Sequence, residues 1–396
     1  MSGDATDPRT PGRPTVGMVG GGQLARMSLA PAAALDVELV VLAERPEDPA
    51  VRAGAGYELG SPDDADALLR LAARADVVTF DHELAPPEDL RRMAGSGVSM
   101  QPPPAAQLHA QDKLVQRARL GELGLPVPAW SEVASASEVE AFAEPHGWPV
   151  VLKTARGGYD GRGVWMLDGP EEAAATVGDL IRDGTDSRVL VEERVEIDRE
   201  LAVLVARNAE GDAVVYPVVE TVQRDGICHE VHAPAPIDER EAREAQALGM
   251  AIAEELRTTG MLAVELFATP DGLVVNELAM RPHNSGHLTI EGCITSQFEN
   301  HLRTVLGWPP GRPELVAPAA VMVNVLGPED GSDPASRREA ALAVPGAHVH
   351  LYGKASRPGR KLGHVTALGG DIEDALSVAR EAATRLAGGS VPTDSR

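Results

Sequence analysis

Cysteine is nearly missing: Cys228 and Cys293 are the only two in 396 residues. They lie far apart and in no metal-type spacing, which leaves a disulfide framework unsupported and fits a reducing compartment. Positive charge is also scarce. Lys plus Arg number 36 against 60 Asp plus Glu, a formal net charge of −24. That balance argues against nucleic acid or an anionic membrane surface as a general partner. Small anions stay open wherever basic residues gather locally. No apolar run approaches transmembrane length, the first residues lack a signal-like segment, and no internal repeat is visible. The expectation is a cytoplasmic protein of two or three domains. The ends, 1–14 and 389–396, read as disordered tails.

What is present is an ordered series of strands, glycine turns and helices. "TVGMVGGGQLARMSLAPAAALDVELVVLAE", from Thr15, reads as strand, glycine turn, helix, strand. The alternation continues to about Met100 and predicts a small Rossmann-like α/β domain over 15–110, with Pro102–Pro104 near its end. From 111 to 308, strands at "RVLVEERV", "RELAVLVAR" and "AVVYPVVETV" and a helix over about 240–256 predict an α+β region. A smaller domain over 309–388 has strands near 320–325 and 348–352 and a closing helix from Asp374.

Five stretches carry chemistry. "GGGQLA", Gly20 to Ala25, follows a strand and opens a helix. It fits a dinucleotide fingerprint with Glu44 at the ribose position, another phosphate ligand, or a tight turn alone. "ARGGYDGRG", Ala155 to Gly163, gathers four glycines, Arg156 and Arg162 downstream of Lys153, as a donor-rich cover for phosphates would. "ELFATPDGLVVNE" predicts a hairpin with Pro270, Asp271 and Gly272 as a three-residue loop. Thr269 then faces Leu273, and Glu265 faces Glu277. Like charges at that spacing repel, so a hard cation such as magnesium is expected between them. Arg281, His283, Asn284, Ser285 and His287 follow at once, a donor set suited to oxyanions. "HVHLYGKASRPGRKLGH", His348 to His364, holds Lys354, Arg357, Arg360 and Lys361 without an acid and reads as a phosphate-binding loop. "VEERVEIDREL" supplies Glu192, Glu193 and Glu200 as acceptors for a nucleoside.

Taken in order, Lys113, Lys153, "GGYDGRG", "VEERV", "VELF…VVNELAMRPHNSGH" and "RPGRK" resemble the ATP-grasp family, and within it the 5-(carboxyamino)imidazole ribonucleotide synthases of purine biosynthesis. The resemblance runs from about Val16 into the 380s. It implies an N-terminal Rossmann-like domain, a central two-part ATP-grasp domain and a small C-terminal domain, assembled as a homodimer. It implies ATP, bicarbonate and 5-aminoimidazole ribonucleotide as reactants, with two magnesium ions. By resemblance, Lys113, Lys153, Gly158, Gly161, Arg162 and Gly163 would hold the ATP phosphates. Glu192, Glu193, Val195, Glu200 and Gln223 would hold adenine and ribose. Glu265 and Glu277 would carry metal beside Asn276. Tyr159, Asp160 and Arg281 would be catalytic. Gly22, Gln23, Leu24, Asp81, Asn284, Ser285, Lys354 and Arg360 would meet the ribonucleotide. The chain departs from the family at "TFDHEL", where Asp81 replaces a glutamate found in many relatives. The "GMVGGGQLARM" segment fits other ATP-grasp purine enzymes equally, among them the formate-dependent glycinamide ribonucleotide transformylases. The rival class is a nicotinamide-dependent dehydrogenase, which would explain "GGGQLA" and Glu44 but neither the second glycine loop nor the paired acids.

Overall fold

The computed structural model describes residues 12–158, 163–182 and 188–389. Among these, the strands form three sheets. The first is parallel, in the order β3-β2-β1-β4-β5, built from β1 (Thr15–Val19), β2 (Glu38–Ala43), β3 (Gly56–Leu59), β4 (Val77–Phe80) and β5 (Ser99–Met100). Every residue of β1 and β4 is buried, as expected of central strands covered on both faces. Leu68, Leu71, Leu90 and Met93 cover one side, and Ala25, Ala32, Leu302 and Val305 the other. The helix Gln297–Val305 thus packs the middle of the chain against the first sheet.

The second sheet is antiparallel, β6-β9-β7-β8, from β6 (Trp130–Val133), β7 (Val150–Thr154), β8 (Val164–Leu167) and β9 (Val189–Glu193). The third holds nine strands: β10 (Arg199–Arg207), β11 (Ala213–Val215), β12 (Val219–Arg224), β13 (Ile227–Ala233), β14 (Gly260–Thr269), β15 (Gly272–Ala279), β16 (Ala319–Leu326), β17 (Ala347–Leu351) and β18 (Lys361–Gly369). Its path, β15-β14-β10-β12-β13-β16-β18-β17, crosses residue 309 without a break. Glu230↔Val323 to Ala233↔Ala320 join β13 to β16, so the C-terminal strands extend the central sheet.

Two local expectations need correction. The basic stretch 348–364 is not one loop. β17 and β18 pair across it, His350 opposite His364, so Lys361 and His364 stand on a strand. Glycine and charge hide a strand whose register is set by β16 on its other side. The closing helix is Ile372–Ala387 and begins before Asp374. Asp371 is its cap, its carboxylate accepting from the Asp374 N–H, which satisfies an orphan amide of the first turn.

Candidate active site

The hairpin β14–β15 does set Glu265 opposite Glu277, by a different route from the one its turn chemistry suggests. Thr269 pairs with Gly272, leaving Pro270-Asp271 as a two-residue loop. The Thr269 hydroxyl donates to the Gly272 carbonyl at 2.8 Å and accepts from the Asp271 N–H at 3.3 Å, which closes the turn one residue early. Gly272, at φ +122°, takes a backbone conformation that side-chain-bearing residues avoid. The register is restored by a bulge beside Glu265 that leaves Asn276 without a cross-strand partner. A bulge re-aims side chains, and here neighbours on one strand reach the same site. Asn276 Nδ2 lies 3.4 Å from Glu265 Oε2, and Glu277 Oε1 lies 2.8 Å from Lys113 Nζ.

The charges around these acids are buried and unequal. Burial, then the neighbouring Glu277 and Glu200 carboxylates, push Glu265 up to about 7. Burial alone raises Glu200. His283 Nε2 stands 3.4 Å from Glu265 Oε1, but burial, Arg281 and Lys361 hold its imidazole down to about 3, hence neutral. Among the described residues no group of three or more His, Cys, Asp or Glu is arranged to hold a metal. Two carboxylates and an amide suit a cation that completes its shell with water and phosphate oxygens. A cation would relieve the carboxylate repulsion that pushes Glu265 up, so the donor set fits magnesium.

Lys153, on β7, reaches Glu192 Oε2 at 2.7 Å and Asn276 Oδ1 at 3.3 Å. Burial lowers its pKa, the pull of Glu192 offsetting only part. The other Glu192 oxygen receives Arg117 Nε at 2.6 Å, while Arg117 NH2 donates to the Asn276 carbonyl at 2.7 Å. Against the desolvation of burial, Arg117 and Lys153 hold Glu192 below its ordinary value. The Glu192 carboxylate therefore works inside the protein. So does that of Glu193, which accepts from the Ala129 N–H at 2.8 Å. Val195 is half-buried just past β9, and Gln223 sits at the β12 bulge opposite Cys228.

Tyr159, Asp160, Gly161 and Arg162 lie outside the described residues. Gly158 and Gly163 flank them, and Gly163 has φ +72° with room for no Cβ against Thr154 Oγ1. Arg156, expected among the phosphate donors, instead binds Asp112 Oδ2 at 2.9 Å, as does Arg188. Asp112 caps the helix Lys113–Glu122 by accepting from the Leu114 and Val115 N–H groups.

On the opposite side, Arg281 forms an ion pair at 2.8 Å with Glu83, from the N-terminal region. Burial opposes its charge, but Glu83, Asp81 and Glu277 raise its pKa. Asp81 accepts from the Gly22 N–H at 2.5 Å, and a Cβ at Gly22 would collide with its carboxylate. A carboxylate thus already occupies the start of the helix Gln23–Ala34, where a dinucleotide's pyrophosphate would need to bind. Leu24 is buried. Gln23 accepts from Lys354 Nζ at 2.5 Å and approaches His287 Nε2 at 3.4 Å. Ser285 Oγ lies 2.9 Å from His283 Nδ1. Asn284 and Asn324 exchange amide hydrogen bonds of 2.8 and 3.1 Å. Arg360 donates to the Ala355 carbonyl at 3.1 Å.

Two residues were missed by sequence reasoning. Arg117 had a signal, since it lies one helical turn beyond Lys113 and so shares its face. Gln297 had none. Gln297 brackets His283, accepting from its N–H and donating to its carbonyl, both at 2.8 Å, and it also contacts His287 Nδ1 at 3.1 Å. These contacts join the acid pair to Gln23 and Lys354 in one continuous cluster.

Comparison with known proteins agrees with this geometry. A ribonucleotide synthetase preATP-grasp domain matches residues 14–111, an ATP-grasp domain residues 118–298, and a phosphoribosylaminoimidazole carboxylase C-terminal domain residues 320–378. The N5-carboxyaminoimidazole ribonucleotide synthase of Mycobacterium tuberculosis H37Rv is 49% identical over 383 residues, 95% of this chain and 88% of that one. The Corynebacterium ammoniagenes synthase is 45% identical over 384 residues, covering 95% and 92%. A crystal structure of the Aspergillus clavatus enzyme with ADP and 5-aminoimidazole ribonucleotide superposes with TM-score 0.85 at 32% identity, over 94% of this chain and 98% of that one. The chain belongs to the N5-carboxyaminoimidazole ribonucleotide synthase family and is an ATP-dependent ligase of the ATP-grasp fold.

Proposed function

We propose that this chain carboxylates 5-aminoimidazole ribonucleotide with bicarbonate and ATP in de novo purine biosynthesis, releasing ADP and phosphate. The observation that carries the residue assignment is the half-buried pair Glu265 and Glu277, in direct contact with Asn276 and Lys113 and, through Asn276, with Lys153. Glu265, Glu277 and the Asn276 amide would hold two magnesium ions, which when bound supply charge neutralisation for phosphoryl transfer from ATP. Lys113 and Lys153 bind and orient the phosphates, and the glycine segment 158–163 is assigned to them from the resemblance. The carboxylates of Glu192 and Glu193 are engaged; these residues, with Val195, Glu200 and Gln223, are assigned to adenine and ribose from the resemblance. Arg281 places a fixed positive charge at the developing carboxyphosphate, where preorganised charge is most effective. The same cluster carries Gln23, Asn284, Ser285 and Lys354 toward the ribonucleotide. Tyr159, Asp160 and Arg360 are assigned to it from the resemblance, as is homodimer formation.

The test is ADP release from magnesium–ATP, with bicarbonate and the ribonucleotide each present or omitted. Turnover requiring both is expected. Turnover indifferent to the ribonucleotide would point to another amine as substrate. Thermal stabilisation by NAD and not by magnesium–ATP would overturn the assignment.

A further inference from the structure

A second place in the molecule holds like charges together. A cavity of about 250 Å³ opens between the N-terminal region and the C-terminal strands. Its lining brings Arg26 from the first helix, Arg52 from the short helix Pro49–Arg52, and Arg338 and Lys354 from the C-terminal region. Asp333 is the one acid in that lining. Leu351 and Leu362 contribute apolar surface.

The guanidinium groups of Arg26 and Arg52 converge on Gly353. A Cβ there would lie 3.5 Å from Arg26 NH1 and 4.0 Å from Arg52 NH1, and Arg52 NH1 donates to the Gly353 carbonyl at 3.0 Å. Gly353 takes φ +72°, a turn conformation that favours glycine and that brings the chain back beside both cations. Arg26 donates to the Pro49 carbonyl and Arg338 to the Ala335 carbonyl. Among the described residues no carboxylate lies within ion-pair distance of Arg26, Arg52 or Arg338. In a chain with 60 acids and 36 bases, three arginines in one cleft without an acid partner need a reason. A guanidinium offers five N–H donors in a fixed fork, and one carbonyl each leaves most of that capacity directed elsewhere. Burial and the nearby Arg52 also lower the pKa of Arg26, the mark of a cation held beside another.

We propose that this cleft, with Arg26, Arg52 and Arg338 as its donors and Lys354 at its edge, binds a phosphate dianion. Charge-assisted, forked donors facing a confined space are the chemistry that recognises phosphate. Two sources supply that group. One is the phosphate of the ribonucleotide, a version that rests on the proposed function because Lys354 links the cleft to Gln23. The other is a separate anion, either inorganic phosphate or a phosphorylated metabolite.

The experiment titrates inorganic phosphate into the full chain by calorimetry, comparing wild type with the Arg52→Ala/Arg338→Ala double variant. Both side chains are exposed, and a melting curve checks that the variant folds. Saturable binding to wild type is expected, weakened at least tenfold in the variant and by added salt. No saturable binding to wild type, or equal binding by the variant, overturns the proposal. Steady-state turnover then separates the sources. A raised KM for the ribonucleotide at unchanged KM for ATP assigns the cleft to the substrate's phosphate. An unchanged KM with phosphate binding lost assigns it to a separate anion. The phosphate titration reads the cleft even if the chain turns over neither substrate, so the two readings can fail independently.

Discussion

Two acid clusters in the large sheet, one around the buried Glu230 and one around the half-buried Glu265, look alike in composition and differ in balance. At β12–β13, Glu230 receives both arms of Arg380 at 2.8 Å and contacts His232, which also reaches Glu220 at 3.2 Å. Arg224 stands near Glu230 and Arg199 beside Glu220. Each acid there has a cation, and Glu230 is held down to about 2: burial works against this, but hydrogen bonds from His232 and Arg380 prevail. At β14–β15, Glu265 faces a second carboxylate and a neutral imidazole, and it is pushed up to about 7. A cluster that closes its own charge balance ties elements together. One that leaves charge open is built for something outside the chain.

The largest expected effect comes from exchanging these outcomes by mutation. Glu265→Gln or Glu277→Gln should lower ADP release on the order of a thousandfold. Glu265→Gln should leave the melting temperature unchanged or slightly higher, because a repulsion has been removed, whereas Glu277→Gln also gives up the ion pair with Lys113 and should lower it slightly. Glu230→Gln should do the reverse. It strands a buried imidazole and part of Arg380, at a cost of about 2 kcal/mol, below the range for a fully buried pair because Arg380 is half-exposed. Turnover per folded molecule should stay near wild type. Urea unfolding and ADP release on the same preparations check both halves. Equal loss of stability at the two sites would remove the distinction.

The open cluster was legible in part, and for instructive reasons. Turn chemistry at Thr269-Pro270-Asp271-Gly272 predicted the facing acids through a three-residue loop. The chain makes a two-residue loop and recovers the same pairing through the bulge that leaves Asn276 unpaired. The right pair therefore came from two compensating features, of which only the turn has a local signature. Lys153 stood out as a cation beside glycine-rich sequence, and Lys113 through the family resemblance alone. Their attachment to Glu277, Asn276 and Glu192 depends on contacts between residues far apart in sequence, such as Lys113–Glu277. Glu83, seen only as part of a family departure, turns out to hold Arg281. The parallel N-terminal sheet was readable because buried strands carry continuous apolar runs. β18 was not, because its place is set by β16 and β17 more than by its own glycine- and charge-bearing sequence.

A smaller effect sharpens the comparison through protons. Glu265 has a folded value of about 7 against an ordinary value of 4.5, so the folded chain without metal holds a proton that the unfolded chain releases. Its contribution to stability is full below about 4.5 and is lost as pH rises through about 7. Magnesium must displace that proton. Calorimetric titration of magnesium–ATP in buffers of different ionisation enthalpy should show proton release at pH 6 to 7, shrinking above pH 8. Affinity should fall as pH drops below 7. Proton release unchanged in Glu265→Gln would place the titrating group elsewhere.

The closed cluster carries the smallest of these effects, with two limbs of opposite sign. Glu230 is depressed, so its stabilisation is present above about 4.5 and lost as pH falls toward 2. His232 is raised: burial disfavours its charge, but the hydrogen bonds it donates to Glu230 and Glu220 outweigh that. Its share is full below the ordinary value of 6.5 and is lost as pH climbs past the raised one. His232→Asn should therefore flatten the alkaline limb of unfolding stability by about 1 kcal/mol, the net worth of one hydrogen bond, and leave the acid limb to Glu230. Neither limb should respond to magnesium–ATP, because no charge in this cluster waits for a ligand. A stability limb at β12–β13 that moved with nucleotide would mean that the two clusters communicate along the sheet through β10, the strand that separates them.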